Sequence, residues 1–191
     1  MISNALRKIL KNSKGSLIEV VFRLIDAIMW GLPVEYDVKI TRDECQSVVS
    51  KDRKSQQSSG SKRNRPDLMI RAYLWNKWDE VAYIESSKWQ TSDQKIFDDH
   101  NKLVRLTLDR FQYLLKKYMK DVLYDNFIGF DINIAGEYFV LYELICKNEV
   151  NFYLSVSRAK ISLSEETVDE VKDFIYTLLI LWVSIIFFMK C

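Results

Sequence analysis

The alternation of apolar and polar positions divides the chain into helices and strands. Leu17, Val20, Val21, Leu24, Ile25 and Ile28 recur at helical spacing, with Arg23 and Asp26 on the other side. Ser16 and Glu19 make a capping box before that run, and Gly31 and Pro33 stop it. Val34, Tyr36, Val38 and Ile40 alternate with period two and predict a strand. Arg65 to Trp75 and Val81 to Trp89 each read as a strand, with Asn76–Glu80 as the hairpin connection. Pro66 suits a strand start, because it has no N–H to give to the ladder. Thr91 and Gln94 form a second capping box, opening a long helix over about residues 92–120. Its predicted apolar stripe is Val104, Leu108, Phe111, Leu115, Tyr118 and Val122, flanked by Leu103, Leu114 and Met119.

Three strands follow, at 127–135, 138–146 and 150–156, and the tight turns between them predict an antiparallel meander. Ser164 and the acids after it cap a last helix, with Val168, Val171, Ile175, Leu178 and Trp182 as its stripe. From Phe174 to Met189 there is no charge. That run is shorter than the ~20 residues that usually span a bilayer. The expectation is a terminal helix plus strand packed on the sheet, with a membrane tail anchor as the alternative. The fold class expected is α/β, with a mixed sheet flanked by helices.

Composition narrows this picture modestly. The 191 residues fit one domain of ordinary size, and 48% apolar content is ample for a core. Net charge is only +2, so global charge announces no nucleic-acid partner. Cys45, Cys146 and Cys191 are odd in number and lack metal-ligand spacing. Free thiols in a reducing compartment are the expectation. The N-terminus lacks the apolar core of a secretory signal, so the expected location is intracellular, in nucleus or cytoplasm. The single histidine, His100, argues against a multi-histidine metal site; its place near the helix stripe makes it a packed residue before a base.

Charge distribution says more. Residues 51–65 carry Lys51, Arg53, Lys54, Lys62, Arg63 and Arg65 without one apolar side chain. Such a run cannot pack; it reads as a solvated loop, a nuclear-localisation signal, or an arm that grips phosphates. It ends immediately before Asp67. In an antiparallel hairpin the start of one strand lies beside the end of the next, so Asp67 and Glu85 can approach each other, with Lys88 just beyond. Two carboxylates and a lysine suit a divalent cation and phosphodiester cleavage. Tyr83 shares the strand face of Glu85. The charges on the long helix read mainly as a solvated face, including the pairs Asp98–Lys102 and Arg105–Asp109.

Pro66-Asp67, a spacer, Glu85 and Lys88 resemble the PD-(D/E)XK, or restriction-endonuclease-like, nuclease superfamily. They also resemble a large group of uncharacterised fungal proteins with a variant of that motif. The resemblance covers about residues 16–160, and its order of elements is helix, strand, carboxylate hairpin, long helix and strands. It implies a restriction-endonuclease-like core and a metal-dependent nuclease, with DNA as the expected partner before RNA. Mg2+ or Mn2+ would be held by Asp67, Glu85 and the carbonyl of Ser86, and Lys88 would serve the attacking water. Glu19, Gln94 and Lys95 are accessory candidates. One departure stands out. Lys88 lies three residues after Glu85, and a regular strand sends it to the opposite face; a bulge or the strand end must turn it back. A site kept only for binding is therefore the alternative to an active enzyme, and a tail-anchored membrane protein is the third reading.

Overall fold

The computed structural model describes residues 16–32, 37–42, 47–50, 65–74, 76–87, 91–118, 128–148, 150–161 and 168–190. The elements run α1 (Ser16–Trp30), β1 (Val38–Arg42), β2 (Leu68–Leu74), β3 (Lys77–Ser86), α2 (Asp93–Tyr118), β4 (Ile128–Ala135), β5 (Tyr138–Lys147), β6 (Val150–Lys160) and α3 (Val168–Lys190). The six strands form one mixed sheet in chain order. Neighbours are antiparallel except β3 and β4, which run parallel. A parallel pair cannot be joined by a hairpin, and α2 is the crossover.

The two faces of the sheet differ in chemistry. On one face α1 and α3 pack over a continuous apolar core, built from Val21, Ile25, Ile70, Ala82, Ile84, Ile132, Ile134, Leu141, Phe174, Leu181 and Ile185 among others. On the other, α2 lies against β3 and β4. There Tyr83 and Met69 meet Leu103 and Leu106, and Phe111 and Leu114 meet Leu144 and Cys146. Polar groups interrupt these two apolar patches. Side chains alternate along a strand, so Tyr83, Glu85 and Ser87 turn towards α2 while Ala82 and Ile84 turn away. Asp131 and Asn133 do the same on β4, and Asp99, Thr107 and Arg110 answer them from the helix; all are buried.

The hairpin is tighter than its sequence implies. Asn76, in the left-handed region at φ 64°, is the turn, and β3 resumes at Lys77, so Trp78, Asp79 and Glu80 belong to the strand. Asparagine tolerates that conformation better than most residues. A bulge between Ile70 and Arg71 sets Val81 outside the pairing and brings Glu80 onto the face of Tyr83. Glu80 accepts hydrogen bonds from Ser47 Oγ (2.7 Å), Val48 N (2.7 Å) and Tyr83 Oη (2.5 Å). Glu80 thus fastens residues 47–50 to the sheet, and Tyr83 steadies Glu80. The first strand begins at Val38, and Val34 and Tyr36 lie outside the described residues.

Both helical stripes are rotated from their expected places. In α2 the buried positions are Asp99, Leu103, Leu106, Thr107, Asp109, Arg110, Phe111 and Leu114, so Asp109 leaves the expected solvated face, while Val104, Leu108 and Leu115 are half-buried. Ser92 caps this helix, its Oγ accepting from Lys95 N at 3.3 Å, in place of a Thr91–Gln94 box. Residues 168–190 form one helix with no terminal strand. It buries Phe174, Thr177, Leu178, Leu181 and Ile185, while Val168 and Ile175 are exposed. The meander of β4, β5 and β6 turns at Gly136 (φ 60°) and Asn148 (φ 50°).

Candidate functional site

The register of β2 and β3 sets Leu68 opposite Ile84, so Asp67 falls beside the end of β3. Asp67 Oδ2 accepts two hydrogen bonds there, from Ser86 N and Ser86 Oγ, each 2.8 Å. Glu85 is 2% exposed and points to the α2 face. Lys102 Nζ lies 2.7 Å from Glu85 Oε1. That contact is an ion pair between a buried carboxylate and a half-buried lysine. Ser87 continues the face: its N donates to Ile134 O at 2.7 Å, and its Oγ donates to Asp99 Oδ2 at 2.7 Å. Lys95 Nζ closes on the other oxygen of Asp99. Three carboxylates and two ammonium groups thus gather where β3 ends and α2 begins.

Burial governs the electrostatics. Glu85 is pushed from its usual 4.5 up to about 7, first by loss of water. Lys102 opposes that rise, while the negative charges of Asp67 and Asp99 add to it. The Asp99 hydrogen bond raises Lys95, and the charges of Asp99, Glu85 and Asp67 raise it further. Deeper in the same layer, burial pushes Asp131 up to about 8 against the opposing charge of Arg110. Asp131 accepts from Tyr83 N (3.2 Å), Tyr153 Oη (3.2 Å) and Thr107 Oγ1. Arg110 donates to Val81 O and lies 5.3 Å from the Tyr83 ring. His100 is half-buried against the stacked rings of Tyr142 and Tyr153, inclined to both, and burial lowers its pKa.

The expected site residues separate clearly. Asp67, Glu85, Ser86 and Lys95 come together. Glu19 does not join them, because it pairs with Arg23 (3.2 Å) and Arg42 (3.8 Å). Gln94 is exposed and donates to Asp98 Oδ1 at 3.0 Å, so Asp98 is answered by Gln94 and Lys102 is drawn to Glu85 instead. Arg65 is exposed next to the site. Lys51, Arg53, Lys54, Lys62, Arg63 and Lys88 lie outside the described residues. The spacing missed Asp99, Lys102, Asp131 and Asn133. Lys95, Asp99 and Lys102 share one helix face at steps of four and three, and that face runs on through Leu103 and Leu106 into the buried stripe.

Among the described residues no three His, Cys, Asp or Glu side chains converge as a metal cluster. The oxygen set nonetheless fits a hard cation. Glu85 Oε1 is buried with Lys102 Nζ beside it, and the three acids gathered here outnumber the two ammonium groups. Mg2+ characteristically takes one or two carboxylates and fills its remaining positions with water and substrate oxygen. The fold and cluster define an α/β protein with a six-stranded mixed sheet flanked by helices and an acid–lysine site at one sheet end. Compared with family models, curated proteins and solved structures, the chain matches none.

Proposed function

We propose that the chain is a metal-dependent nuclease of the PD-(D/E)XK type, hydrolysing a phosphodiester with DNA preferred over RNA. One observation carries the reading: Asp67 is fastened beside the end of β3 that carries Glu85, with a lysine, Lys102, set on Glu85 from α2. The sequence of helix, three antiparallel strands, crossover helix and parallel strand supports it, being the order the resemblance implies.

Asp67 and Glu85 would hold Mg2+ or Mn2+, with the carbonyl of Ser86 as a further oxygen. A metal in this position lowers the pKa of bound water and stabilises charge developing on the phosphate. The chain's own groups prepare the carboxylates. Ser86 N and Oγ fix the direction of Asp67. Lys102 Nζ favours the ionised form of Glu85 and takes the place that the motif gives to Lys88. Lys95 neutralises Asp99, which in turn holds Ser87 at the end of the strand. Arg65 and the basic run before it would grip the phosphate backbone, making binding salt-sensitive.

A second reading is a nuclease-like domain that binds without cleaving. The favouring observation is that Asp67 and Glu85 are each answered within the chain, by Ser86 and Lys102. A third reading concerns location. Val168–Met189 is long and apolar enough to cross a membrane, a test that the core helix of a soluble protein also meets.

Linear and supercoiled DNA and RNA, incubated with Mg2+ or Mn2+, test the enzyme reading. Cleavage should vanish with EDTA and in Asp67→Ala and Glu85→Gln, and fall steeply in Lys102→Met. No cleavage by folded wild type, with salt-sensitive binding retained, would replace it with the binding domain. Neither cleavage nor binding would dismiss nucleic acid as the partner.

A further inference from the structure

Asn133 is 1% exposed, and among the described residues no donor reaches its side-chain oxygen Oδ1. A buried amide oxygen without a donor is costly, and native chains seldom keep one without a purpose. Its position supplies the purpose. The parallel register places Asn133 directly beside Glu85. Asn133 shares the α2-facing side of β4 with Asp131, which is held by Thr107 of that helix. Glu85, its neighbour across the strand pair, turns Oε1 to Lys102 Nζ at 2.7 Å. A buried amide oxygen without a donor, beside a buried carboxylate that already draws an ammonium group, makes a place for positive charge.

We propose that Asn133 Oδ1 is the third protein oxygen of a divalent-cation site formed with Asp67 and Glu85. This inference rests on the metal-dependent reading above and adds a ligand that its motif does not contain. Three neighbouring strand ends then supply one oxygen each: Asp67 leads into β2, Glu85 lies on β3 and Asn133 lies on β4. An amide carbonyl is a hard oxygen ligand of the kind Mg2+, Mn2+ and Ca2+ accept. Because it is uncharged, it completes the ligand set without adding to the repulsion that Asp67 and Asp99 already exert on Glu85.

Mn2+ alone is the probe, added to the full chain at pH 8 and followed by calorimetry and by loss of the free-ion electron-spin signal. Wild type should bind and Glu85→Gln should not. Asn133→Leu keeps the approximate volume and removes the oxygen. It should weaken Mn2+ binding about tenfold or more, the range typical of groups that support a metal site. Its melting temperature in EDTA should stay level or rise, because a donorless polar atom has been removed. A merely structural asparagine would give the reverse pattern, with melting lowered and affinity unchanged. Asn133→Asp should restore binding and tighten it beyond wild type. If Asn133→Leu does not fold, Asn133→Asp carries the test, and affinity equal to wild type would overturn the proposal. Wild-type binding that Glu85→Gln abolishes and Asn133→Leu leaves intact would overturn the Asn133 ligand alone. No Mn2+ binding by folded wild type would overturn both this inference and the metal-dependent reading.

Discussion

Glu85→Gln is expected to make the protein more stable at alkaline pH while abolishing its proposed chemistry. The folded pKa of Glu85, about 7, lies above its ordinary 4.5. Between those values the folded chain keeps a proton that the unfolded chain has released, so stability falls as pH rises through this window. The penalty is complete above pH 7, and the displacement from 4.5 to about 7 makes it about 3 kcal/mol. Glutamine stays neutral and escapes it. Burying an amide opposite Lys102 returns about 1 kcal/mol of cost. The net gain at pH 8 is about 2 kcal/mol, or roughly 4–8 °C in melting temperature for a chain of this size. Thermal melts of both proteins in EDTA at half-unit steps from pH 4 to 8 provide the assay. The variant should be the less stable by about 1 kcal/mol at pH 4, cross wild type as the pH rises, and lead by about 2 kcal/mol at pH 8. A gap of constant size, or a variant less stable throughout, would refute the claim that Glu85 is held in a site costly to its charge.

Three further outcomes follow from other parts of the molecule. Arg110→Met removes the buried cation that opposes the rise of Asp131, and urea unfolding at pH 8 should show a loss of roughly 3 kcal/mol or more. Ser86→Ala removes one of the two donors to Asp67 Oδ2, lowering cleavage while costing only about 1 kcal/mol in the same urea experiment. Leu179 and Val183 are exposed on α3, whereas Leu181 and Ile185 are core. Leu179→Lys with Val183→Glu should leave far-ultraviolet dichroism and melting almost unchanged in a water-soluble protein. For a membrane-anchored one the same pair should abolish carbonate-resistant pelleting.

The fold was legible wherever one physical signal acted alone. In β4–β6, strand runs were punctuated by turn residues whose backbone demanded them, Gly136 and Asn148. Asp67 and Glu85 could be paired because hairpin geometry alone brings such positions together. Legibility failed where burial was polar. Asp99, Thr107 and Arg110 occupy the inner face of α2, so a stripe drawn through apolar residues lands about one position away from the true contact line. Trp78, Asp79 and Glu80 read as a turn because two are acids; Lys117 and the 47–50 segment satisfy those acids from a distance no local pattern reveals. In α3 apolar residues surround the helix, which leaves no contrast from which to choose the inner side. Lys102 was assigned to Asp98 by spacing, but a buried carboxylate on the sheet attracts it more strongly than an exposed one on the same helix.

The single parallel pairing, β3 with β4, has a consequence for how the molecule assembles. β1–β3 and β4–β6 are each closed by neighbours in sequence, so each half holds contacts that form early at low entropic cost. The β3–β4 seam is different, because it demands that α2 be in place before two distant segments align. Glu85, Asn133 and Lys102 all lie along that seam. Asp67 and Glu85 belong to the first half and Asn133 to the second, so the proposed cation site is complete only when the seam is closed. A cation bound there would therefore act as a clasp across the seam, drawing the halves together and slowing their separation. The chemistry of the chain and the integrity of its architecture would then be tied to the same few atoms.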